Sequence, residues 1–224
     1  MRKFGALTEP TDRIEDGRRR RGAQSRAIIL SRAIEISSIE GLEGLTIGRL
    51  ASDIGISKGN ITVLFADKEA LQIATLDAAV KVFSAKVVAP LADDKEPSER
   101  LQAFCGNWFD YIEQRVFAGG CMLYGTSSEY RARPGKIQDR VNYHKNAWTK
   151  LLSATASEAQ RRGQIRHDID VDQLVFELTS FQAAASIAAA LGDQPTFLRA
   201  RRTSRERIAG TILGTKTKEG ATHQ

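Results

Sequence analysis

The stretch from Thr46 to Leu71 constrains the fold most, because its pattern predicts two short helices joined by a tight turn. Apolar residues recur at positions 47, 50, 51 and 54, which is the spacing of one face of a helix. Thr46 supplies an N-cap ahead of this helix, and Gly55 follows it where a left-handed turn needs no side chain. Ser57 then caps a second short helix. This pattern predicts a helix-turn-helix.

The second helix of this stretch separates apolar from polar positions. Ile61, Leu64 and Phe65 fall on the inward face, while the opposite face carries small or polar side chains. An Asn can pair with a base edge, Thr and Val can contact a thymine methyl, and Lys can meet a phosphate or a guanine. From spacing alone, an ordinary helical hairpin with a polar outer face is the alternative. The predicted DNA-binding residues are Thr46, Ser57, Lys58, Gly59, Asn60, Thr62, Val63 and Lys68.

Residues 26 to 71 resemble the N-terminal DNA-binding unit of the TetR/AcrR family of bacterial regulators. Thr62 and Leu64 depart from the family pattern, which usually has Tyr at the first position and His or Tyr at the second. The family's tyrosine commonly contacts a phosphate. Because this chain has Thr62 at that position, the resemblance does not predict the same phosphate contact here. Ser37 stands where a core aromatic is usual. The residues that carry the resemblance are Ile29, Leu30, Ala33, Gly41, Thr46, Ile47, Leu50, Ala51, Gly55, Ile56, Ser57, Lys58, Gly59, Phe65, Lys68, Glu69 and Leu71.

The resemblance implies an all-α chain with an N-terminal three-helix helix-turn-helix unit and a larger helical bundle for regulation and dimerisation. In this family the helix after the DNA-binding unit links it to the regulatory body, and the last two helices form a four-helix dimer contact. The implied function is that of a transcriptional regulator, a repressor by family resemblance. Its partners would be a palindromic double-stranded DNA operator, a second copy of the chain, and a small-molecule effector that releases the DNA.

Four segments are predicted along the chain. Residues 1–23 lack helical periodicity and contain the run from Arg18 to Arg21, so we expect a basic, flexible arm. This arm either follows DNA phosphates or is a solvated tail. Residues 24–68 are predicted to form the DNA-binding domain, 69–214 the ligand-binding and dimerisation domain, and 215–224 a flexible tail.

The net charge of +6 is concentrated at the two ends of the chain. Arg and Lys outnumber Asp and Glu in residues 1–26 and again in residues 199–224. Basic ends suit nucleic acid, although many soluble proteins carry tails of this kind. The alternative function is therefore sequence-independent nucleic-acid binding through these ends. Deletion of residues 1–22 separates the two hypotheses, because a specific reader should keep its operator preference.

Caps and apolar periodicity also predict the remaining helices. The expected boundaries are a first helix at about 24–39, a helix from the N-cap Asp67 to about Pro90, a loop at 92–99 ending at the N-cap Ser98, a long helix at about 136–163, a helix after Asp170, and a last helix from Pro195 to about Leu213.

Aromatic side chains in the body make a ligand cavity possible. Ligand pockets are mainly hydrophobic with a few polar fixing groups, so an apolar or aromatic effector would suit such a lining. Core packing is the alternative for any single residue, because aromatic stripes at helical spacing are usually core. The predicted lining residues are Phe104, Trp108, Phe109, Phe117, Met122, Tyr124 and Trp148.

The sequence gives no support for an enzyme, and we predict no catalytic residue, metal or cofactor. The three histidines are scattered, and no Gly-rich phosphate loop is present. Cys105 and Cys121 are too few for a disulfide scaffold, which favours the reducing cytoplasm. The N-terminus is polar and the alanine-rich run at 183–191 is too short to span a bilayer, so neither export nor membrane insertion is expected.

Overall fold

A computed structural model describes the backbone of residues 10–90 and 95–213, with side chains from residue 22 onward. Every regular element within these ranges is helical, apart from an isolated bridge between Ile165 and Ile212, which confirms the predicted all-α class. The elements are α1 Pro10–Glu40, α2 Ile47–Ile54, α3 Lys58–Thr62, α4 Lys68–Phe83, a π-helical segment Ser84–Val88, α5 Pro97–Glu113, α6 Met122–Glu129, α7 Lys136–Arg161, α8 Val171–Leu191 and α9 Gln194–Ala209.

The chain divides into two compact units, Met1–Ala78 and Ala79–Gln224. The first unit contains α1 to α3 and most of α4, and the second contains the end of α4 and the helices from α5 to α9. The predicted domain boundary at residues 68 and 69 coincides with the start of α4, whereas the two units divide within that helix. The predicted tail at 215–224 lies outside the described residues.

Helix α1 begins earlier than we predicted. A flexible arm was expected up to residue 23, but the backbone is helical from Pro10. Proline is favourable at a first helical position because its missing N–H would have no partner in that turn. The sequence also places an acid four residues ahead of an arginine at Glu15 and Asp16, a spacing that favours helix without needing an apolar face. Residues 1–9 of the predicted arm lie outside the described residues.

The first unit packs around α2. Leu50 of α2 and Ile61 of α3 are fully buried, and α2 contacts both α1 and α3. Helix α4 contributes the fully buried Leu71 and also Gln72, whose Nε2 donates to the carbonyl of Leu42 at 2.6 Å. Apolar burial and one buried hydrogen bond therefore hold the short α2 and α3 in place.

The second unit is a bundle in which α5 is the most enclosed helix. It packs against α7, α8, α9 and the π-helical segment. Trp108 and Phe109 of α5 are each about 1% exposed, although they are neighbours in sequence. An α-helix turns by about 100° per residue, so burial of both residues requires neighbouring elements on two sides of α5.

Helix α5 corrects one predicted boundary. We expected Ser98 to be its N-cap, but the helix begins at Pro97 and Glu96 is the capping residue. The backbone N–H of Ser98 donates to Oε1 of Gln164 at 3.0 Å. A distant side chain therefore satisfies this free N–H, which a pattern of neighbouring residues does not reveal.

Helix α8 is long and apolar enough to cross a membrane by length and composition alone. It packs against α9 and α7 within the second unit, and its buried residues include the polar Gln182. Asp170 caps it as predicted by accepting from the N–H of Gln173 at 3.0 Å, and Gly192 ends it with φ 74°. A core helix of a bundle has the same composition, so this feature does not assign α8 to a membrane.

Candidate functional site

Helix α2 and the turn after it have the predicted geometry. Oγ1 of Thr46 accepts from the N–H of Arg49 at 3.0 Å. Gly55 ends the helix with φ 68°, and its N–H bonds to the carbonyl of Ala51. A residue with a side chain would be strained at this φ, so glycine fits the turn. The helix-turn-helix prediction is therefore confirmed.

Helix α3 depends on the rest of the unit for its stability. It spans only Lys58–Thr62, and an isolated helix of this length is unstable in water. The side chain of Ser57 accepts from the N–H of Asn60 at 3.3 Å. Ile61 is the one buried residue of this helix and is fully enclosed. One cap and one apolar anchor thus fix its orientation.

The other side of α3 is exposed. Ser57, Lys58, Gly59, Asn60 and Thr62 are exposed, and Val63, just after the helix, is 86% exposed. The hydroxyl of Thr62 donates to the carbonyl of Gly59 at 3.0 Å, so its hydrogen is already engaged. We call the six residues Ser57, Lys58, Gly59, Asn60, Thr62 and Val63 the reading face. Their contacts with DNA stay a prediction.

Lys58 extends from α3 over the start of α2. A Cβ placed on Gly48 would lie 3.3 Å from Cε and 3.5 Å from Nζ of Lys58, and 3.9 Å from Oγ1 of Thr46. The structure therefore brings Thr46 and Lys58 together at the N-terminus of α2. A hydroxyl, an ammonium and a helix N-terminus are all groups that bind phosphate oxygens.

Arg26 contacts the residues at the end of α3, a role that no sequence pattern predicted. Its Nη1 donates to the carbonyl of Leu64 at 2.7 Å, and its guanidinium lies 4.2 Å from the centroid of the Phe65 ring. Both contacts favour a cation at this place. Arg26 and Leu64 are 38 residues apart, so no local pattern connects them.

Lys68 has a competing partner. Its Nζ lies 2.6 Å from Oε1 of Glu43, and both side chains are partly exposed. An exposed ion pair of this kind is weak, so a phosphate could replace Glu43 at little cost. The predicted contact between Lys68 and DNA stays a prediction.

Asp53 of α2 binds two arginines, Arg32 of α1 and Arg49 of α2 itself. Nη2 of Arg32 donates to Oδ1 of Asp53 at 3.1 Å, and Nη1 of Arg49 donates to the same oxygen at 3.0 Å. Hydrogen bonds from Arg32, which has the larger effect, and from Arg49 lower the pKa of the Asp53 carboxyl to about 2. This cluster attaches α2 to the helix that carries Arg26.

We expect Asp53→Asn to lower the melting temperature at neutral pH and to matter less in acid. The folded-state pKa lies below the ordinary value of 3.8, so the stabilisation is complete above that value and is lost as pH falls through the folded pKa. Thermal denaturation of both proteins between neutral pH and about pH 2 measures the difference. Asp139→Asn, at an exposed position on α7, is the control. A difference that stays constant across this range would contradict the prediction.

A cavity of about 410 Å³ lies within the second unit. Its volume falls in the range of about 300–1,000 Å³ that is typical of small-molecule sites. Residues from α4 to α8 line it, and most of its wall is apolar. Its aromatic residues are Phe83, Trp108, Tyr111, Tyr124, Trp148 and Phe176.

The aromatic rings of the cavity wall support one another. Phe83 packs edge-to-face on Tyr111, with centroids 5.6 Å apart, and on Trp148, with centroids 5.2 Å apart. Trp108 and Tyr124 form a third such pair at 5.9 Å. Edge-to-face pairs are favourable beyond the area they bury, so these contacts hold the wall in one arrangement.

Hydrogen bonds fix two of these rings further. Nε1 of Trp148 donates to Oε1 of the fully buried Gln182 at 2.9 Å. The hydroxyl of Tyr124 donates to the carbonyl of Thr179 at 3.1 Å. Because α8 supplies both acceptors, it positions rings from α6 and α7, and the cavity is largely preformed.

Two tyrosines and a cysteine in the wall are held in their neutral forms. Burial raises the pKa of Tyr111 and of Tyr124, and it raises the pKa of the Cys121 thiol to about 11. A thiol with so high a pKa is a poor nucleophile. The described part of the chain contains no group of three or more His, Cys, Asp or Glu side chains that could hold a metal ion.

The structure divides the predicted lining residues into two sets. Trp108, Met122, Tyr124 and Trp148 line the cavity, whereas Phe104, Phe109 and Phe117 lie elsewhere in the core. Phe109, for example, faces Phe197 of α9 at 5.8 Å. The cavity is also lined by Phe83, Tyr111 and Phe176, which no sequence pattern predicted.

Residues 97–204 match the family described as the tetracycline repressor-like C-terminal domain. No curated protein matches the chain in sequence. Similar solved structures include a TetR transcriptional regulator from Chloroflexus aurantiacus J-10-FL, with a TM-score of 0.79 and 23% identity over 86% of this chain and 98% of that one.

Two further solved structures contain bound molecules. A regulator from Saccharomonospora viridis in complex with choline has a TM-score of 0.74 and 21% identity, over 86% of this chain and 100% of that one. AibR in complex with isovaleryl coenzyme A and operator DNA has a TM-score of 0.63 and 18% identity, over 84% of this chain and 98% of that one. At these identities the likeness shows the fold.

Proposed function

Because this chain belongs to the TetR family of transcriptional regulators, we propose that it is a repressor that binds a palindromic operator as a homodimer. A small molecule in the cavity would lower its affinity for that operator. The observation that carries the proposal is the exposed reading face beside the single buried anchor Ile61. A polar, exposed face on the second helix of a helix-turn-helix is suited to the major groove.

The chemistry of the reading face supports recognition of bases as well as phosphates. Asn60 can both donate and accept at an adenine edge. Val63 exposes an apolar side chain that has no role in the core, and a thymine methyl would cover it. Lys58 and Thr46 lie at the N-terminus of α2, where a backbone phosphate would be favourable. The base contacts of Asn60 and Val63 would provide sequence specificity, and the phosphate contact would fix the position of the protein along the DNA.

Exposed apolar side chains on α8 and α9 support a homodimer. Ile187 and Leu191 of α8 are 59% and 79% exposed, and Leu198 of α9 is 48% exposed. The two helices pack against each other within the second unit. Exposed apolar side chains on neighbouring helices favour an interaction surface, and a two-fold dimer matches a two-fold operator.

Helix α4 supports a link between the cavity and DNA binding. It begins at Lys68, shortly after α3, and its residues Ala79, Val80 and Phe83 line the cavity. A ligand that favours one position of this helix would shift the population of DNA-binding forms. The likeness to a choline complex and to a complex with isovaleryl coenzyme A and operator DNA supports a cavity that binds a small molecule.

The remaining parts of the proposal follow from this role. The effector would be a small apolar or aromatic molecule, since most of the wall is apolar and it includes Phe, Tyr and Trp rings. A regulator must reach the chromosome, so we assign the protein to the cytoplasm. We propose no catalytic activity.

Selection of bound DNA from random duplexes at a stated salt concentration tests the proposal. We expect a two-fold symmetric site whose half-sites are about one helical turn, roughly 10 base pairs, apart. Enrichment of no sequence would contradict it and favour nonspecific binding through the basic ends. Once a site is known, candidate effectors can be tested for release of that DNA.

A further inference from the structure

The described cavity wall contains basic side chains but no carboxylate. Among the described residues that line it, none is Asp or Glu. Its ionisable nitrogen groups are Lys145 and His144, which are neighbours on α7. The wall therefore offers a positive charge to a ligand and no negative charge to balance a bound cation.

Lys145 is placed to meet a ligand at the edge of the cavity. It is exposed, yet it lines the cavity together with Trp148 and Thr149, which lie about one helical turn further along α7. Lys145 forms no ion pair with any other residue in the described ranges. Its ammonium is thus available to an anion without the loss of an existing contact.

The charge of the wall decides between two kinds of ligand. Aromatic rings alone can bind an ammonium group by cation–π attraction. Here such a cation would share the cavity with Lys145, and like charges repel. An anion would gain the attraction of the same ammonium while its apolar part covers the rings. A bound anion would therefore contact both the ammonium of Lys145 and the aromatic rings.

We propose that the effector is a small amphipathic anion. Its apolar or aromatic body lies among Phe83, Trp108 and Trp148, and its carboxylate, or an equivalent anionic group, lies at Lys145. This inference rests on the proposed function, because it names the chemical class of the molecule that would occupy the effector cavity.

Three probes of nearly equal shape test the charge preference: 4-phenylbutanoate, 4-phenylbutanamide and 4-phenylbutan-1-amine. Both tryptophans of the chain, Trp108 and Trp148, line the cavity, so quenching of their fluorescence reports occupancy in the full-length protein. We expect the acid to bind most tightly and the amine least tightly. Isothermal titration calorimetry provides an independent affinity for each probe.

The variant Lys145→Gln assigns the preference to one residue. We expect the affinity ratio of acid to amide to fall by about three- to fivefold, the effect of a partly exposed ion pair. Lys150→Gln is the matched control, because Lys150 is exposed on the same helix and does not line the cavity. We expect it to leave the ratio unchanged. Because the ratio compares two ligands on the same protein, a change in the stability of the variant affects both affinities and does not by itself change the ratio.

The outcomes separate this inference from the proposed function. Amine binding as tight as acid binding overturns the preference for an anion. An unchanged ratio in Lys145→Gln overturns the placement of the anionic group at Lys145. Either result leaves an effector cavity in place. If none of the three probes binds up to its solubility limit, the inference is also overturned. The selection of operator DNA does not involve the cavity, and it shows independently whether the DNA-binding proposal fails as well.

Discussion

Asn60→Ala is expected to lower operator affinity by about 1–3 kcal/mol for each half-site and to relax the base preference at one position there. Asn60 is exposed, and only its backbone N–H has a hydrogen-bond partner within the described residues, namely Ser57. The substitution should therefore leave the fold intact. Repeating the duplex selection with this variant, together with a melting curve, measures both effects.

Lys58→Ala is the matched comparison for Asn60→Ala. Lys58 lies at the N-terminus of α2, where a phosphate contact is expected. Its loss should weaken all sequences nearly equally and reduce the slope of affinity against salt by about one unit for each phosphate contact. If Asn60→Ala weakened all sequences equally and left every base preference intact, its assigned role in reading bases would be wrong.

Ile61→Ala is expected to destabilise the first unit by about 2–5 kcal/mol, the usual cost of emptying a fully buried aliphatic site. The effect should be at the high end because Ile61 is the one buried residue of α3. Loss of this anchor would release the short helix, so operator binding should fall together with stability. Urea denaturation and a binding titration, made on the same sample, measure both.

Val63→Ala is the control for this variant, since the two positions lie two residues apart. Val63 is 86% exposed, so its truncation should change stability by no more than about 0.5 kcal/mol. It should still weaken binding to operators that place a thymine methyl against it. Equal losses of stability in Ile61→Ala and Val63→Ala would contradict the assignment of Ile61 as the anchor.

The helix-turn-helix could be predicted because its determinants are local. Thr46 and Ser57 cap helices within three residues of themselves, and Gly55 forms the turn at its own position. Such features depend on the backbone geometry of a few consecutive residues, and the types of those residues are enough to predict it. Arg26 was missed because it acts on Leu64 across 38 residues. The contact forms only in the folded unit, where α1 and α3 both pack against α2.

The cavity was predicted less completely because residues from five helices line it. An apolar stripe on α5 indicates burial, but it does not tell which buried residue faces empty space. Trp108 faces the cavity, whereas its neighbour Phe109 packs on Phe197. Phe176 lines the cavity although it is 65% exposed, so no rule based on burial alone would have selected it.

The start of α1 could not be predicted from periodicity. A helix shows an apolar stripe only where it packs against something. Residues 10–23 have no such stripe, so they were predicted to belong to a flexible arm.

The division of α3 into one anchor and an exposed reading face has a consequence for how such proteins diversify. Because Ile61 carries the packing of α3, the exposed positions 58, 60, 62 and 63 can change with little penalty in folding. After gene duplication, two copies could acquire different operators through substitutions at these positions, with folded intermediates at each step. A library randomised there should therefore contain mostly folded members, and sorting it against a chosen DNA site would select for affinity alone.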